Sequence, residues 1–254
     1  EGTGIELSVA NQTLRGSFAF EQLTRANGVK VTRVVATGVS LSLGDGTNTF
    51  VSLTNGQGAF LATSTGLAGR LSGTVAVTVP GVVLNATLTL ELNNTSLAVD
   101  ESFLVGGAAV QLVLPAGPYL RVTGTGLNME IAGQKLRGDF TFTQRTVSGQ
   151  QVTELTLAGI YLGLGNGTRD FVSVSHGAGT LTIAATGITG NFTGDVAVNM
   201  PGVSFAGSFT VEVRTDKTVP ANNYVRVSGT GVTLTVAGQS LGGPRIVGAA
   251  RGGA

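Results

Sequence analysis

Apolar and polar residues alternate along most of the chain. The segment 205–213 shows the pattern: one side carries Phe205, Phe209, Val211 and Val213, and the other carries Ala206, Ser208, Thr210 and Glu212. A period of two is typical of a β-strand with one buried face. The abundance of Val, Thr, Phe and Ile agrees with strand propensity, and no segment combines a helical period with helix caps. The pattern therefore predicts an all-β protein.

Dipeptides that favour tight turns separate the alternating runs. They are Asn27-Gly28, Asp45-Gly46, Pro80-Gly81, Ser148-Gly149, Asn166-Gly167 and Pro201-Gly202. Asn-Gly and Asp-Gly favour two-residue turns between antiparallel strands, and Gly after Pro suits a type II turn. Because the apolar side of such a sheet needs a cover, we predict long antiparallel hairpins forming an elongated sandwich or meander. A parallel β-solenoid is the alternative, since glycine-rich repeats also form solenoids.

The chain is a tandem repeat. Leu14, Gly16, Phe18, Phe20 and Gln22 recur 122 residues later, from Leu136 to Gln144. Further along, residues 73–82 recur as 194–203, at an offset of 121. A fixed period of this kind is the sequence signature of a repeat architecture.

A third copy begins before the end of the sequence. Residues 224–241 repeat residues 119–136 at an offset of 105, so the second copy is 16 residues shorter than the first. The missing stretch lies between Asn93 and Pro115. We predict four segments: a first repeat at 1–122, a shortened second repeat at 123–227, the start of a third repeat and candidate donor strand at 228–241, and a glycine-rich tail without regular structure at 242–254.

Composition and charge exclude several classes of protein. Of 254 residues, only 11% are charged, against roughly 25% in an average domain. The 15 Lys and Arg residues balance 14 Asp and Glu residues, so the clustered basic face that nucleic acid requires is not predicted. The absence of Cys excludes disulfides and thiol chemistry. The sequence contains no run of 18 apolar residues, so no transmembrane helix is predicted.

Little in the sequence points to catalysis. His176 is the only histidine, and its counterpart in the first copy is Asn55. A catalytic histidine needs a nucleophile or carboxylate placed by the fold, whereas a position that alternates between His and Asn is typical of a polar turn. Nor does the spacing of the carboxylates predict an acid–base pair; those considered are Asp100, Glu101, Glu154 and Asp195. We predict no enzyme activity and no catalytic, cofactor-binding or metal-binding residues.

Two loops resemble calcium loops only in part. The first copy offers Asp45 and Asn48, and the second offers Asn166 and Asp170. Calcium sites use several oxygen ligands, usually with more than one carboxylate. Because the carboxylate changes position between the copies, we favour tight turns that use Asn and Asp and leave calcium binding as the alternative.

The repeats resemble those of very large predicted secreted or surface proteins of bacteria. The motifs that carry the resemblance are GTGxxLxxAxQxLxGxFxF, LGDGTxxFVS and GTVAVTVPGV. The resemblance covers residues 1–241. The resemblance implies an extracellular or cell-surface location and a structural or adhesive role.

The sequence supports three functional hypotheses. The first is a structural module of a secreted bacterial fibre or cell-surface array that associates with itself head to tail, with neighbouring repeats or by strand addition. The alternative is a spacer or an adhesin that binds a surface glycan through its exposed sheet or the loop 97–113, where Phe103 is the one aromatic residue. A hydrolase, the third, needs converging carboxylates that the two copies do not share.

Overall fold

The protein is built of long β-strands. The computed structural model describes residues 1–9, 12–24, 28–45, 47–105 and 108–251. Within them lie sixteen strands and one short 3₁₀ turn at Pro220–Asn222. In this part of the chain, no helix is both long and apolar enough to cross a membrane. The all-β prediction is confirmed.

The chain divides into two compact units. The first comprises Glu1–Thr125 with Thr143–Thr146, and the second comprises Gly126–Phe142 with Val147–Ala254.

The first unit is an antiparallel meander with an added hairpin. Its strands are β1 (Gly2–Val9), β2 (Gln12–Thr24), β3 (Lys30–Gly44), β4 (Thr49–Thr63), β5 (Gly66–Val79), β6 (Val82–Asn93), β7 (Val99–Val105) and β8 (Ala108–Leu114). Strands β1 to β6 each pair with the next strand in sequence. Strands β7 and β8 form a separate two-stranded sheet, which corresponds to the stretch that the second copy lacks.

The second unit repeats the meander without the hairpin. Two strands, β9 (Tyr119–Ile131) and β10 (Gln134–Val147), are divided between the units. The remaining strands are β11 (Gln150–Gly165), β12 (Asp170–Ala184), β13 (Gly187–Met200), β14 (Val203–Asp216), β15 (Tyr224–Val236) and β16 (Gln239–Arg251). Strands β11 to β16 pair in sequence order, and each ladder is antiparallel. The ladders therefore favour the predicted meander over the parallel solenoid.

The predicted turns are confirmed where the structure describes them. Positive φ angles of 76° to 90° occur at Gly28, Gly81, Gly149, Gly167 and Gly202. Asn27 and Gly46 lie outside the described residues. Sequence analysis missed the turns at Ala132-Gly133 and Ala237-Gly238, where alanine also has a positive φ, because alanine seldom adopts that conformation.

Two expectations about the end of the sequence are corrected. Residues after Leu241 were expected to lack regular structure, but Gln239–Arg251 forms β16 and pairs with β15. The candidate donor strand is not free either, because β15 is hydrogen-bonded to β14 on its other side. The two-residue turn at Ala237-Gly238 joins β15 to β16, and the two strands form a hairpin that is paired along the whole length of β15.

The hydrophobic core of the first unit lies between the sheet and the β7–β8 hairpin. Its buried members are Val31, Val35, Ala59, Leu61, Ala68, Val99, Leu112 and Leu114. The second layer that a sandwich requires is limited, in the described residues, to this hairpin. We expected a second layer to cover the side of the sheet that is apolar throughout. The hairpin instead packs on the opposite side, which is polar elsewhere in the sheet.

Candidate functional site

His176 belongs to a polar cluster on the surface of the second unit. Its backbone has a φ of 51°, close to the 53° of Asn55 at the equivalent position. Its Nδ1 lies 2.9 Å from Asp195 Oδ2, and Ser208 donates its hydroxyl proton to Asp195 Oδ1. The His176 side chain is 85% exposed.

This cluster does not have the connectivity of a catalytic triad. In a triad the imidazole stands between the serine and the carboxylate and accepts the serine proton. Here Asp195 stands between Ser208 and His176. The hydrogen bond from Ser208, and then that from His176, lowers the pKa of Asp195. Asp195 is therefore held as a charged acceptor, and the Ser208 hydroxyl proton is directed to this carboxylate instead of to the His176 imidazole.

The Asp45 loop uses its carboxylate to close a turn. Asp45 Oδ1 accepts hydrogen bonds from the backbone N–H groups of Thr47 at 2.8 Å and Asn48 at 2.7 Å. These bonds lower the pKa of Asp45. The side chain thus acts as the predicted Asx turn.

The equivalent loop of the second unit has a similar turn and a separate ion pair. Asn166 Oδ1 accepts from the backbone of Thr168 and Arg169. Asp170 accepts from the Tyr161 hydroxyl and pairs with Lys135 Nζ at 3.1 Å. These two hydrogen bonds, that from Tyr161 first, lower the pKa of Asp170. Its carboxylate already has a cationic partner, so the residues that suggested a calcium loop do not converge on a shared site.

The segment 97–113 forms a hairpin that packs inward rather than an open binding loop. Leu112 and Leu114 of β8 are almost completely buried. Glu101 of β7 pairs with Arg33 of β3 at 2.8 Å. The side chain of Phe103 lies outside the described residues. The hairpin is therefore tied to the sheet by apolar packing and an ion pair.

The sheet beneath the hairpin differs between the units in a matching way. The core residues Val35, Ala59, Leu61 and Ala68 correspond in the second copy to Thr156, Thr180, Thr182 and Thr189. Where the hairpin covers the sheet the positions are apolar, and where the second copy lacks the hairpin they carry threonine. We call this side of each sheet the polar face, because polar residues predominate on it outside the area beneath the hairpin.

The polar face also carries the ion pairs of the strands. In the second unit its rows across β11–β15 are Glu154, Thr182, Thr189, Arg214 and Tyr224, and then Thr156, Thr180, Asn191, Glu212 and Arg226. Ion pairs on this face in the two units include Arg33 with Glu21, Arg70 with Glu91, and Arg226 with Glu212.

The opposite side of each sheet, the apolar face, is built of hydrophobic side chains. Residues that pair across neighbouring strands point to the same side of a sheet, so the ladders define the face as rows. In the first unit the rows are Phe20, Val34, Phe60, Gly69 and Leu92, and then Phe18, Ala36, Gly58, Leu71 and Leu90. In the second unit they are Leu155, Leu181, Gly190, Val213 and Val225, and then Leu157, Gly179, Phe192, Val211 and Val227.

Large side chains of the apolar face remain exposed. Phe20 is 68% exposed and Val225 is 44% exposed. Two glycines keep the face level, because a Cβ at Gly69 would collide with the ring of Phe60 and one at Gly179 with the ring of Phe192. Each ring therefore lies over a neighbouring strand instead of projecting from the sheet. A large, level apolar surface of this kind marks an interaction site.

A recurring Glu, Tyr and Arg cluster lies where one repeat passes into the next. At the end of the first repeat, Glu91 is 8% exposed and accepts a 2.8 Å hydrogen bond from the Tyr119 hydroxyl. Arg121 stacks on the Tyr119 ring at 5.3 Å and approaches Glu91 at 3.7 Å. We call Glu91, Tyr119 and Arg121 the first junction cluster.

The second junction has the same three residue types. Arg226 pairs with Glu212 at 3.0 Å and stacks on the Tyr224 ring at 5.2 Å. Neither cluster was predicted from the sequence. The signal was the Tyr-x-Arg spacing shared by Tyr119 and Tyr224, with a Glu at equivalent positions before each.

Comparison of the chain with protein-family models, with curated proteins and with solved structures gave no match. The fold and the geometry of these surfaces are therefore the basis for assigning a function.

Proposed function

We propose that the chain is a structural module of a secreted bacterial fibre or cell-surface array in which successive repeats extend an antiparallel sheet. The observation that carries the proposal is the junction between the second and third repeats. There β14 of the second repeat pairs with β15, the strand that contains the repeat boundary, from Val203 opposite Val236 to Arg214 opposite Tyr224. Adding a repeat at this junction adds strands to an existing ladder, which is how a repeat protein gains length.

The junction clusters support a common way of joining repeats. Each places a glutamate on one strand and a Tyr-x-Arg segment at the start of the next strand, which contains the repeat boundary. The charged side chains lie across the strand boundary, where an opposite-charge pair stabilises strand pairing. A recurring contact at the boundary is expected when repeats share one joining geometry.

The inward packing of the hairpin favours this role over that of an adhesin. A glycan-binding loop presents side chains outward, whereas Leu112 and Leu114 fill the core of the first unit. In the polar cluster at His176 the serine hydroxyl contacts Asp195 instead of the imidazole, which is not the serine–histidine pair that activates the nucleophile of a hydrolase. These contacts support a scaffold that holds its own sheet together.

Strand addition between chains would use the edge of β16 that has no neighbouring strand in the described part of the chain. The turn at Ala237-Gly238 has two positive φ angles, typical of a two-residue hairpin whose flanking residues, Val236 and Gln239, form a hydrogen-bonded pair. Because such pairs alternate along an antiparallel ladder, Ser240 and Gly242 direct their backbone groups outward. Pro244 has no N–H to offer, so we expect a further chain to pair at residues 239–243.

Negative-stain electron microscopy of the purified chain over a range of concentrations tests this proposal. We expect polymers that lengthen with concentration, and we expect Ser240→Pro to shorten or abolish them because it removes an outward N–H without breaking the β15–β16 ladder. Ser240→Ala, which keeps the N–H, is the matched control and should polymerise like the wild type. Isolated particles at every wild-type concentration would overturn the proposal.

A further inference from the structure

The two copies provide an internal test of what happens to a sheet face in contact with water. On the polar face, four of the five sheet positions that the hairpin buries in the first unit carry threonine in the second, where the second copy has no hairpin; the fifth, Val31, corresponds to Val152. Thr156, Thr180 and Thr189 are exposed. In this chain, then, the copy without the cover carries threonine, a polar residue that strands favour, in place of Val, Leu or Ala.

The apolar face does not follow that rule. Its positions Val34, Phe60 and Leu92 correspond to Leu155, Leu181 and Val213 in the second copy. The side chains change in size and shape between the copies, but each remains hydrophobic. If this face were in contact with water in the working protein, polar replacements like those on the other face would be expected, because exposed strand faces are usually polar. The pattern indicates that the apolar face is covered in both units.

The exposed area is large enough for a stable interface. The chain exposes 14712 Å², whereas a folded monomer of its mass exposes about 10,000 Å². The difference, roughly 4,500 Å² per chain, is distributed over both faces of the sheets, and half of it still exceeds the approximately 800 Å² per partner of a standard protein interface. A partner that covered the apolar face could therefore bury more surface than a stable dimer needs.

The chemistry of the face fits a second sheet of the same kind. Ion pairs of the strands lie on the polar face, so packing on the apolar side need not bury Glu91 or Glu212. Phe60 and Phe192 lie over glycines, which gives a level surface suited to the approximately 10 Å spacing of stacked sheets. Both units present this surface, so a two-fold axis would match apolar side chains with apolar side chains on each partner.

We propose that the apolar face packs against the same face of a second copy of this chain, forming a two-layered sandwich from two molecules. The proposal deepens the proposed structural role, because it names the partner that covers each sheet. It places lateral association on the faces, whereas growth in length uses the edge of β16.

Light scattering after size-exclusion chromatography tests the proposal, using the Ser240→Pro chain so that edge growth is blocked. Val227 and Leu234 of β15 lie on the apolar face and are 39% and 36% exposed, so a lysine stem fits without disrupting the unit. We expect the parent to have the mass of a dimer, and Val227→Lys with Leu234→Lys to raise the dissociation constant at least tenfold. Thr233→Lys, one residue away on the polar face, should remain dimeric. Circular dichroism verifies the fold of each variant.

A second measurement does not depend on lysine variants. The chain has no cysteine, so one spin label can be placed at Val225→Cys on the apolar face or at Thr233→Cys on the polar face. We expect dimerisation to immobilise the label at residue 225 and to leave that at residue 233 unchanged.

Three outcomes would overturn the inference. They are a monomeric parent at all concentrations, a dimer that survives both lysines with an unchanged dissociation constant, and a monomer that binds phosphatidylcholine vesicles through Val227 and Leu234. None of them would decide the edge-growth proposal, because polymers of the wild type that Ser240→Pro abolishes are scored separately by microscopy.

Discussion

Buried polar side chains hold the irregular parts of the first unit in place. Asn93 is completely buried and donates to the carbonyl groups of Leu97 and Pro115 at 2.8 and 2.7 Å. Its Oδ1 accepts from the backbone and hydroxyl of Thr95. One side chain thus satisfies both ends of the inserted segment, where unpaired carbonyls would be costly.

Tyr119 gives the first unit a dependence on alkaline pH. Burial, together with the hydrogen bond to Glu91, raises its pKa to about 12 from an ordinary value of 10.0. The folded state holds the proton more tightly than the unfolded state does, so this stabilisation is complete below pH 10 and is lost as the pH rises towards 12. We expect the Tm of the first unit to fall over that range.

Two matched variants distinguish the contribution of the Tyr119 hydroxyl to the alkaline pH dependence of stability from that of the other groups in the protein. Tyr119→Phe should cost about 1 kcal/mol at neutral pH and flatten the alkaline slope, measured by calorimetry. Tyr224→Phe removes the equivalent hydroxyl of the second unit and should keep the wild-type slope. Equal slopes for the wild type and Tyr119→Phe would contradict the assignment.

Strands were more predictable than the layers they form. Alternation and the turn dipeptides gave the antiparallel meander, because both are local properties of the sequence. Strands β4 and β12 reach 15 residues each because they continue through bulges near Asn55 and His176. The alternating pattern does not predict these bulges. At each bulge a residue with positive φ shifts the strand register, so the side chains that follow change the side of the sheet to which they point.

The cover of each face could not be predicted from alternation alone. The pattern shows which side of a strand is apolar but not what packs on it, and beneath the hairpin both sides of the sheet carry apolar residues. The Asp195 cluster was missed for a similar reason. It joins Ser208 to His176 across two ladders, and their spacing in sequence indicates no contact.

The β7–β8 hairpin and the residues beneath it should behave as a transferable pair. Replacing residues 94–118 with the sequence of 215–223 gives the first copy the shorter connection of the second. We expect this change alone to expose the core, bind hydrophobic dye and reduce the soluble fraction. Adding Val35→Thr, Leu61→Thr and Ala68→Thr should restore solubility, because these are the residues that the second copy carries there.

The control for the exchange keeps the hairpin and introduces the three threonines. That chain should be destabilised, because burying a hydroxyl without a partner costs free energy. Two results would contradict this prediction: the threonines do not restore the solubility of the exchanged chain, or they do not change the stability of the chain that keeps the hairpin. Either would show that contact with the hairpin does not determine which residues occupy positions 35, 61 and 68.

At the scale of the whole molecule, the two units have different sources of stability. The first unit has a core closed by its own hairpin, whereas the second combines a polar face rich in threonine with an apolar face that we assign to a partner. In repeat proteins, stability is a sum of local contributions, and opening occurs in contiguous cooperative segments. A change to the core of the first unit should therefore act on that unit.

Leu112→Ala tests this local behaviour. Leu112 is 1% exposed and belongs to the core, so truncation should cost about 3 kcal/mol. Hydrogen exchange followed by mass spectrometry should show faster exchange in β3–β5 and β7–β8, with β11–β15 unchanged. Val113→Ala is the matched control, because its side chain lies on the outer side of the same strand, is 49% exposed, and should alter stability by less than about 0.5 kcal/mol. Faster exchange throughout β11–β15 in Leu112→Ala would show instead that the sheet unfolds as one cooperative body.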